Sequence, residues 1–489
     1  MRNLIIVDDV NKVNFSVENA EFITAKEYLT EYSSAKRDTA RVYNLCKSYK
    51  YQSAGYYVSL LALARGHKVL PSITTIQDLK SQTMIKFCNN NLKDDIEKSL
   101  SKIKSESFIM SIYFGKNVAK QHARLCKKIF DIFRAPLLRV LFQYKNNRWR
   151  MTSINVIALN DIPEHHVPYF KQFAEGYFQQ KRYSNLYRKN STYDLAILVN
   201  HDEENPPSDE EAINKFINAA EALGFCADLL SKDELQRIPE YDALFIRETT
   251  SVNHHTYNFA RRAFAEGLVV IDDPDSIIKC TNKVYIAELL KRAKIAAPKT
   301  LVVNKHNTNL IAQELGFPCV LKEPDGSFSN GVIKIDNENV LKEKLSSYFA
   351  SSELKIAQAF MPTEFDWRIG VLDKQPIFAC KYYMAANHWQ IYNWRANDDS
   401  NYGDYEAIDI KDVPGCVVTT AIKAANLIGD GFYGVDLKEY KNRAYVIEIN
   451  DNPSVDSGVE DGVLGKDLYL AIMKVILKRI QYRKGINYG

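Results

Sequence analysis

The chain has 489 residues, 46% of them hydrophobic and 25% charged, and its formal net charge is +4. That balance excludes a disordered chain, a collagen-like repeat and a coiled-coil rod, and at about 150 residues per domain it predicts roughly three domains. No apolar run approaches the ~18 residues that cross a bilayer, and the eight cysteines stand singly, so no membrane partner, zinc ribbon or disulfide framework is expected and a cytoplasmic location fits.

The opening run Leu4–Val7 reads as a strand ending in Asp8-Asp9, too short for a signal peptide. A helix is expected around Ser53–Arg65, stopped by Gly66, with a short strand at Val69-Leu70 after it. Phe108–Phe114 and Leu138–Tyr144 look like strands, and Asn146-Asn147 turns the second into Trp149–Ala158 as a hairpin. From Lys116 to Arg150 ten Lys or Arg face one acid, Asp131. With Leu125, Ile129, Phe130, Ile132 and Phe133 interleaved, this run reads as the solvated face of an amphipathic helix. The sharper reading is a surface that captures an acidic protein tail or RNA. Residues 160–192 are polar, aromatic and basic, fitting a helix and a linker.

A small parallel α/β unit is expected next. Asp194–Asn200 is strand-like, and Ser208-Asp209-Glu210-Glu211 looks like a capping box with Ser208 as N-cap. Ile213, Phe216, Ile217, Ala220 and Leu223 then repeat at helical spacing until Gly224. Two apolar runs, Ala243–Ile246 and Leu268–Ile271, flank a helix over His255–Ala265. Arg247-Glu248 follows the first run, at the end of a parallel strand where ligands bind. A substrate contact and a structural ion pair are equal readings for Arg247. His254-His255 resembles a metal pair, but adjacent helical residues point about 100° apart, which argues against shared ligation. Asp272-Asp273 reads as a loop to the next domain.

From Lys299 the pattern changes to hairpins with two late helices, Val417–Ile428 and Asp467–Tyr482. No Walker A loop occurs. Gly429, Gly431 and Gly434 have dinucleotide-fingerprint spacing, but they follow a helix and precede a strand, so they read as a helix stop and a turn. Tyr433–Leu437 and Tyr445–Asn450 form a hairpin around Tyr440–Arg443. Glu448 and Asn450 share one strand face, Ile447 and Ile449 the other, and Asp436 lies on the neighbouring strand. Two carboxylates and an amide oxygen suit magnesium, which shares substrate phosphates; polar alternation on a solvent-facing strand is the other reading. At Pro318–Ile333 a strand ends in Lys322, a loop of small residues follows, and a second strand starts at Val332. Such a loop and its lysine suit phosphate, against a plain hairpin with an exposed lysine.

Taken in order, these features resemble the ATP-grasp ligases, most closely their RimK-like branch of glutamate and amino-acid ligases, over residues 190–489. They are Lys283 at a helix start, Lys322 before the glycine loop, Gln358–Met361 leading to Asp366-Trp367-Arg368, and Asp436, Glu448 and Asn450. The Phe/Tyr-rich first 190 residues resemble the N-terminal domain fused to some RimK-like proteins. The resemblance implies ATP between two antiparallel sheets. Lys283 and Lys322 would contact its phosphates under the loop Asp325–Gly331, with Gly326, Ser327, Ser329 and Gly331. Gln358 and Phe360 belong to the adenine-holding segment, where Ala359 replaces an acid usual in RimK, and Asp366 matches the ribose position. Asp436, Glu448 and Asn450 match the ligands of magnesium, with manganese as a substitute. The implied reaction turns a carboxylate into an acylphosphate that an amine attacks. Arg368 and Arg395 are the candidate cations for it, although the family's Arg-Ser-Asn is matched here only by His388-Trp389-Gln390-Ile391.

The expected fold is therefore α/β and α+β multidomain. It has an N-terminal α/β domain with linker over 1–190, a small parallel-sheet domain over 191–278, and an ATP-grasp domain over 279–489 with two antiparallel sheets enclosing ATP. The expected function is an ATP- and magnesium-dependent carboxylate–amine ligase. It would add an amino acid, glutamate by analogy, to an acidic peptide or protein acceptor. A ribosomal or RNA contact through 116–150 and a homo-oligomer complete the expectation. The alternatives are a glutathione-synthetase-like small-molecule ligase and a non-catalytic ATP- or RNA-binding regulatory protein. The clustered carboxylates argue against the last, because unused like charges repel.

Overall fold

The computed structural model describes residues 2–13, 15, 17, 20–32, 40–179, 192–325, 331–349, 352–385, 388–391 and 403–485. The chain falls into two compact units, Met1–Arg188 and Lys189–Gly489.

In the first unit β1 (Arg2–Val7), β2 (Ala20–Thr24), β3 (Ala40–Asn44) and β4 (Lys68–Leu70) make a parallel sheet in the order β2-β1-β3-β4. Strand alternation sends Leu4 and Ile6 to one core, with Val58 and Ala62 of helix Ala54–Ala64. Ile5 and Val7 go to the other, with Phe170 and Ala174 of helix Val167–Gln179. A second, antiparallel sheet joins β5 (Ser107–Tyr113), β6 (Leu137–Lys145) and β7 (Arg148–Val156). Asn146 and Asn147 turn β6 into β7 at φ 53° and 61°, the positive φ pair a two-residue hairpin requires.

The basic run is not one helical face. Only Ala123–Ile132 is a longer helix; Arg134 lies just past it, and Arg139, Lys145, Arg148 and Arg150 lie on β6 and β7. Arg124 and Lys128 both pair with Asp95, at 2.7 and 2.5 Å. Arg134 is buried, and Arg139 donates to the Asp161 carbonyl at 2.7 Å. The apolar period switches from helical to alternating after Ala135, with Leu138, Val140 and Phe142 inward.

The second unit opens with a parallel sheet of β8 (Tyr193–Leu198), β9 (Phe225–Leu230), β10 (Ala243–Ile246) and β11 (Val269–Ile271), in the order β11-β10-β8-β9. β9 went unforeseen because Phe225-Cys-Ala-Asp-Leu-Leu230 mixes polarity, as an edge strand can. Helix Glu210–Ala222 is capped by Asp209, which accepts from the Ala212 N–H at 2.6 Å. Ser208 is therefore not the N-cap: its hydroxyl donates to the Val455 carbonyl instead.

Two antiparallel sheets follow. β12 (Thr300–Val303), β13 (Cys319–Lys322), β14 (Val332–Ile335) and β15 (Lys355–Ala359) run in the order β12-β15-β13-β14. β16 (Phe365–Leu372), β17 (Gln375–Tyr383), β18 (Tyr405–Ile408), β19 (Phe432–Tyr440) and β20 (Arg443–Asn450) run in the order β18-β17-β16-β19-β20. Helix Gly415–Ile428 lays Val417, Ala421 and Ala424 on Val435, Val446 and Ile449. Gly429 stops that helix, and Gly434 sits within β19, where a Cβ would meet Pro453 Cβ at 2.7 Å. The last helix, Lys466–Arg483, buries Tyr469, Ile472, Met473 and Ile476 in one core with Leu195, Ile197 and Phe245 of the parallel sheet. Each such side chain contributes about 1.5–3 kcal/mol. The expected division at 278/279 thus falls inside one compact unit. Among the described residues no helix is long and apolar enough to cross a membrane.

Candidate active site

Strand register sets charged side chains in a row. Arg368 on β16 stands opposite Asp436 on β19, which stands opposite Glu448 on β20, so all three leave the same sheet face. Arg368 donates to both Asp436 oxygens, from Nε at 2.7 Å and Nη2 at 2.9 Å. Asn450 Nδ2 donates to Asp436 Oδ2 at 3.2 Å. Lys283 reaches Glu448 Oε1 at 2.7 Å from the first turn of helix Lys283–Arg292. That turn is fixed by the Asn282 cap and by the Lys283 N–H, which donates to the Pro324 carbonyl just after β13.

The β19–β20 register slips by one: Asp436 pairs Glu448, but Leu437 pairs Val446. Ile447 is the extra residue of this bulge. The expectation that Ile447 and Ile449 share the face opposite Glu448 fails there: Ile449 is fully buried, whereas Ile447, like Glu448, borders a cavity.

That cavity measures about 460 Å³. Lys283, Lys322, Gln358 and Phe360 border it, as do Asp366, Arg368, Asp436, Glu448 and Asn450. An adjoining cavity of about 370 Å³ shares Lys283, Lys322, Gln358, Ile447 and Glu448. Trp389, Gln390 and Ile391 also border the larger one, with the Trp389 ring edge-on to Phe360 at 5.9 Å. Gly331 stands just beyond it at φ 73°, where a Cβ would meet Glu323 Cγ at 2.4 Å. Gly326, Ser327, Ser329 and Arg395 lie outside the described residues.

Neither plain reading of these motifs fits the geometry. Lys322 is 8% exposed, not a solvent-facing hairpin lysine. Burial draws its ammonium down to about 8, against the pull of Glu448. Burial pushes the Glu448 carboxyl up, but Lys283 and Lys322 outweigh this and hold it below the usual range. Burial raises Asp366, partly countered by Lys438, whose Nζ lies 2.6 Å from Asp366 Oδ1.

Lys438 was missed by sequence reasoning, although it stands two residues after Asp436, the same spacing that links Arg368 to Asp366. Thr249–Ser251, after β10, also border the cavity, and Thr250 Oγ1 donates to Asp451 Oδ2 at 2.8 Å. The signal for that segment is its place at the carboxyl end of a parallel strand, which pointed to Arg247 rather than to the three residues after Glu248.

Arg247 does not reach out as a substrate contact. It is 1% exposed and donates to Ser208 Oγ from Nε at 3.0 Å, to Asn452 Oδ1 at 2.6 Å, and to the Pro453 carbonyl at 2.9 Å. Its Nη2 also donates to Ser208 Oγ at 2.8 Å and to the Pro207 carbonyl. The argument against the histidine pair also fails. His254 is the extended N-cap, at φ −112° and ψ 162°, so only His255 is helical and the two rings lie 3.9 Å apart.

Residues 25–173 match the family model for a RimK-like ATPgrasp N-terminal domain, and residues 280–476 that for a RimK-like ATP-grasp domain. The chain is 32% identical over 203 residues to the alpha-aminoadipate–LysW ligase LysX of Saccharolobus solfataricus, covering 40% of this chain and 69% of that protein. It is 24% identical over 241 residues to the tetrahydromethanopterin:alpha-L-glutamate ligase of Methanocaldococcus jannaschii, covering 47% and 78%. Among solved structures, a RimK domain ATP-grasp protein of Sphaerobacter thermophilus aligns at TM-score 0.45 and 17% identity, over 58% of this chain and 99% of that one.

Proposed function

Because this chain belongs to the RimK-like ATP-grasp family, we propose that it joins an amino acid, glutamate in the first instance, to a carboxylate of a peptide or protein acceptor, at the expense of ATP. As a member of that family it is an ATP-grasp ligase, an enzyme that forms carbon–nitrogen bonds. The relatives' names, a ligase of alpha-aminoadipate to LysW and a ligase of glutamate to tetrahydromethanopterin, support the amino-acid substrate. The observation that carries the reading is the single row Arg368–Asp436–Glu448–Lys283 beside buried Lys322.

An acceptor carboxylate oxygen attacks the γ-phosphorus and ADP departs. The amine nitrogen then attacks the acyl carbon, phosphate departs, and the nitrogen loses its proton. Lys322 would meet the phosphates with its ammonium already buried in the site, and Lys283 would join it once phosphate has displaced its contact with Glu448. Arg368, held to Asp436 through Nε and Nη2, would bring its cationic guanidinium to the carboxylate or acylphosphate oxygens. Asp436, Glu448 and Asn450 supply the oxygen donors that magnesium takes, and the ion would neutralise phosphate charge there. In this division of labour residues 279–489 bind nucleotide, 191–278 shape the acceptor wall through Thr249–Ser251, and 1–190 recruit the acceptor.

ADP release measured across a panel of amino acids and acceptors tests this. Release only when an amino acid and a peptide or protein carboxylate are both present is expected. Release with two small molecules alone would replace it with the small-molecule ligase, and no release under any pairing would remove the enzyme.

A further inference from the structure

A cluster of metal-binding side chains stands apart from the row just described, at the carboxyl end of β10. Glu248 is 1% exposed, and neither of its carboxylate oxygens has a hydrogen-bond partner. His255 Nε2 lies 2.6 Å from Glu248 Oε1 and His254 Nε2 lies 4.0 Å from the same oxygen. One ligand atom from each of the three residues falls within 4.8 Å of the others. By distance Glu248 and His255 are an ion pair, yet His255 Nε2 is itself buried with no hydrogen bond in line. A buried carboxylate in that condition is costly unless a cation completes it.

We propose that Glu248, His254 and His255 form a second divalent-metal site, of the zinc class, that fixes the Thr249–Ser251 wall of the cavity. Two imidazole nitrogens and one carboxylate are a zinc-type donor set that leaves a fourth position open, whereas magnesium takes oxygen. Ligand atoms around tetrahedral zinc stand about 3.3 Å apart for bonds of ~2.0 Å, so the observed separations need only small side-chain adjustments. His254 has the second contact that orients a metal-bound imidazole: its Nδ1 lies 3.1 Å from Thr256 Oγ1. Glu203 accepts from the Thr249 N–H at 3.3 Å and lies close enough to feel both Glu248 and His255. Its carboxylate adds negative field at the site. The site is tied to the cavity wall on two sides. The Glu248 carbonyl accepts from Asn452 Nδ2 at 2.7 Å, and Thr250, two residues on, holds Asp451.

The test uses the full chain stripped with chelator and titrated with zinc chloride by calorimetry, with cobalt as a visible-absorption probe. Wild type should bind one zinc at micromolar affinity or tighter without nucleotide, cobalt should show imidazole-nitrogen coordination, and zinc should raise the melting temperature. Glu448→Gln should keep the wild-type zinc affinity and the zinc-induced rise in melting temperature, whatever its own starting stability, which separates this site from the magnesium set. His255→Ala should lose at least about 100-fold in zinc affinity, together with the melting shift. If that variant does not fold, His254→Asn, on the more exposed side, carries the decision with the same loss expected. No zinc binding by wild type, or unchanged affinity in the folded histidine variants, overturns the proposal.

Discussion

Replacing Glu448 by Gln separates the two jobs assigned to that carboxylate. In the nucleotide-free protein Glu448 accepts a charge-assisted contact from Lys283 at 2.7 Å, with both side chains mostly shielded from solvent. Phosphate must displace that contact before Lys283 can serve it. Such a bond contributes about 1.5–3 kcal/mol, so removing it should tighten metal-free ATP binding about ten- to hundredfold. The same change leaves Lys283 and Lys322 without their shared counter-charge, costing about 1–3 kcal/mol of folding stability. Turnover should nevertheless vanish, because a magnesium donor is gone. Calorimetry with ATP in chelator and ADP release in magnesium make the two measurements. Wild-type turnover would refute the metal assignment. Weaker metal-free ATP binding would refute the competition between Glu448 and phosphate.

Lys322→Ala should weaken ATP binding more than amino-acid binding by calorimetry, and an unchanged nucleotide affinity would remove Lys322 from the phosphate site. Reversing Lys120, Arg124 and Lys127 to Glu, all exposed, should raise the acceptor KM most at low salt and leave ATP affinity alone; normal acceptor kinetics at low salt would leave that face merely solvated. Burial raises the Glu460 carboxyl from 4.5 to about 7. A raised folded value stabilises fully below 4.5 and loses that contribution as pH climbs through 7, so wild type should shed up to ~3 kcal/mol more than Glu460→Gln across that window in urea unfolding. Parallel curves for the two proteins would show that Glu460 does not titrate there.

The strand-borne residues that gather at the cavity were legible because their signals are short. Strand alternation puts Glu448 and Asn450 on one face, and a glycine loop follows Lys322, all within a few residues. The row itself was not legible, since Arg368 and Asp436 are 68 positions apart and meet only through sheet register. Ile447 shows the limit of alternation, because a bulge is a property of two strands together. His254 shows the limit of helical spacing: one residue either side of a helix start changes where a ring points. Arg247 was ambiguous for a similar reason, since its fixed partner Asn452 lies 205 positions away. β9 was lost to composition, an edge strand carrying Asp228 in its middle.

The buried Arg247 clamp has a consequence for how such an enzyme diversifies. One guanidinium ties the end of β10 to Ser208, to the Asn452 side chain and to the Pro453 carbonyl, just past Asn450. Thr249–Ser251, just downstream, hang from a fastened point and form one wall of the cavity, while Lys283 and Lys322 belong to other elements. Residues 249–251 are thus the part of this wall that substitution can change without touching the Arg247 clamp. Grafting that triplet from one relative to another is the smallest exchange that should move acceptor preference while leaving the nucleotide in register.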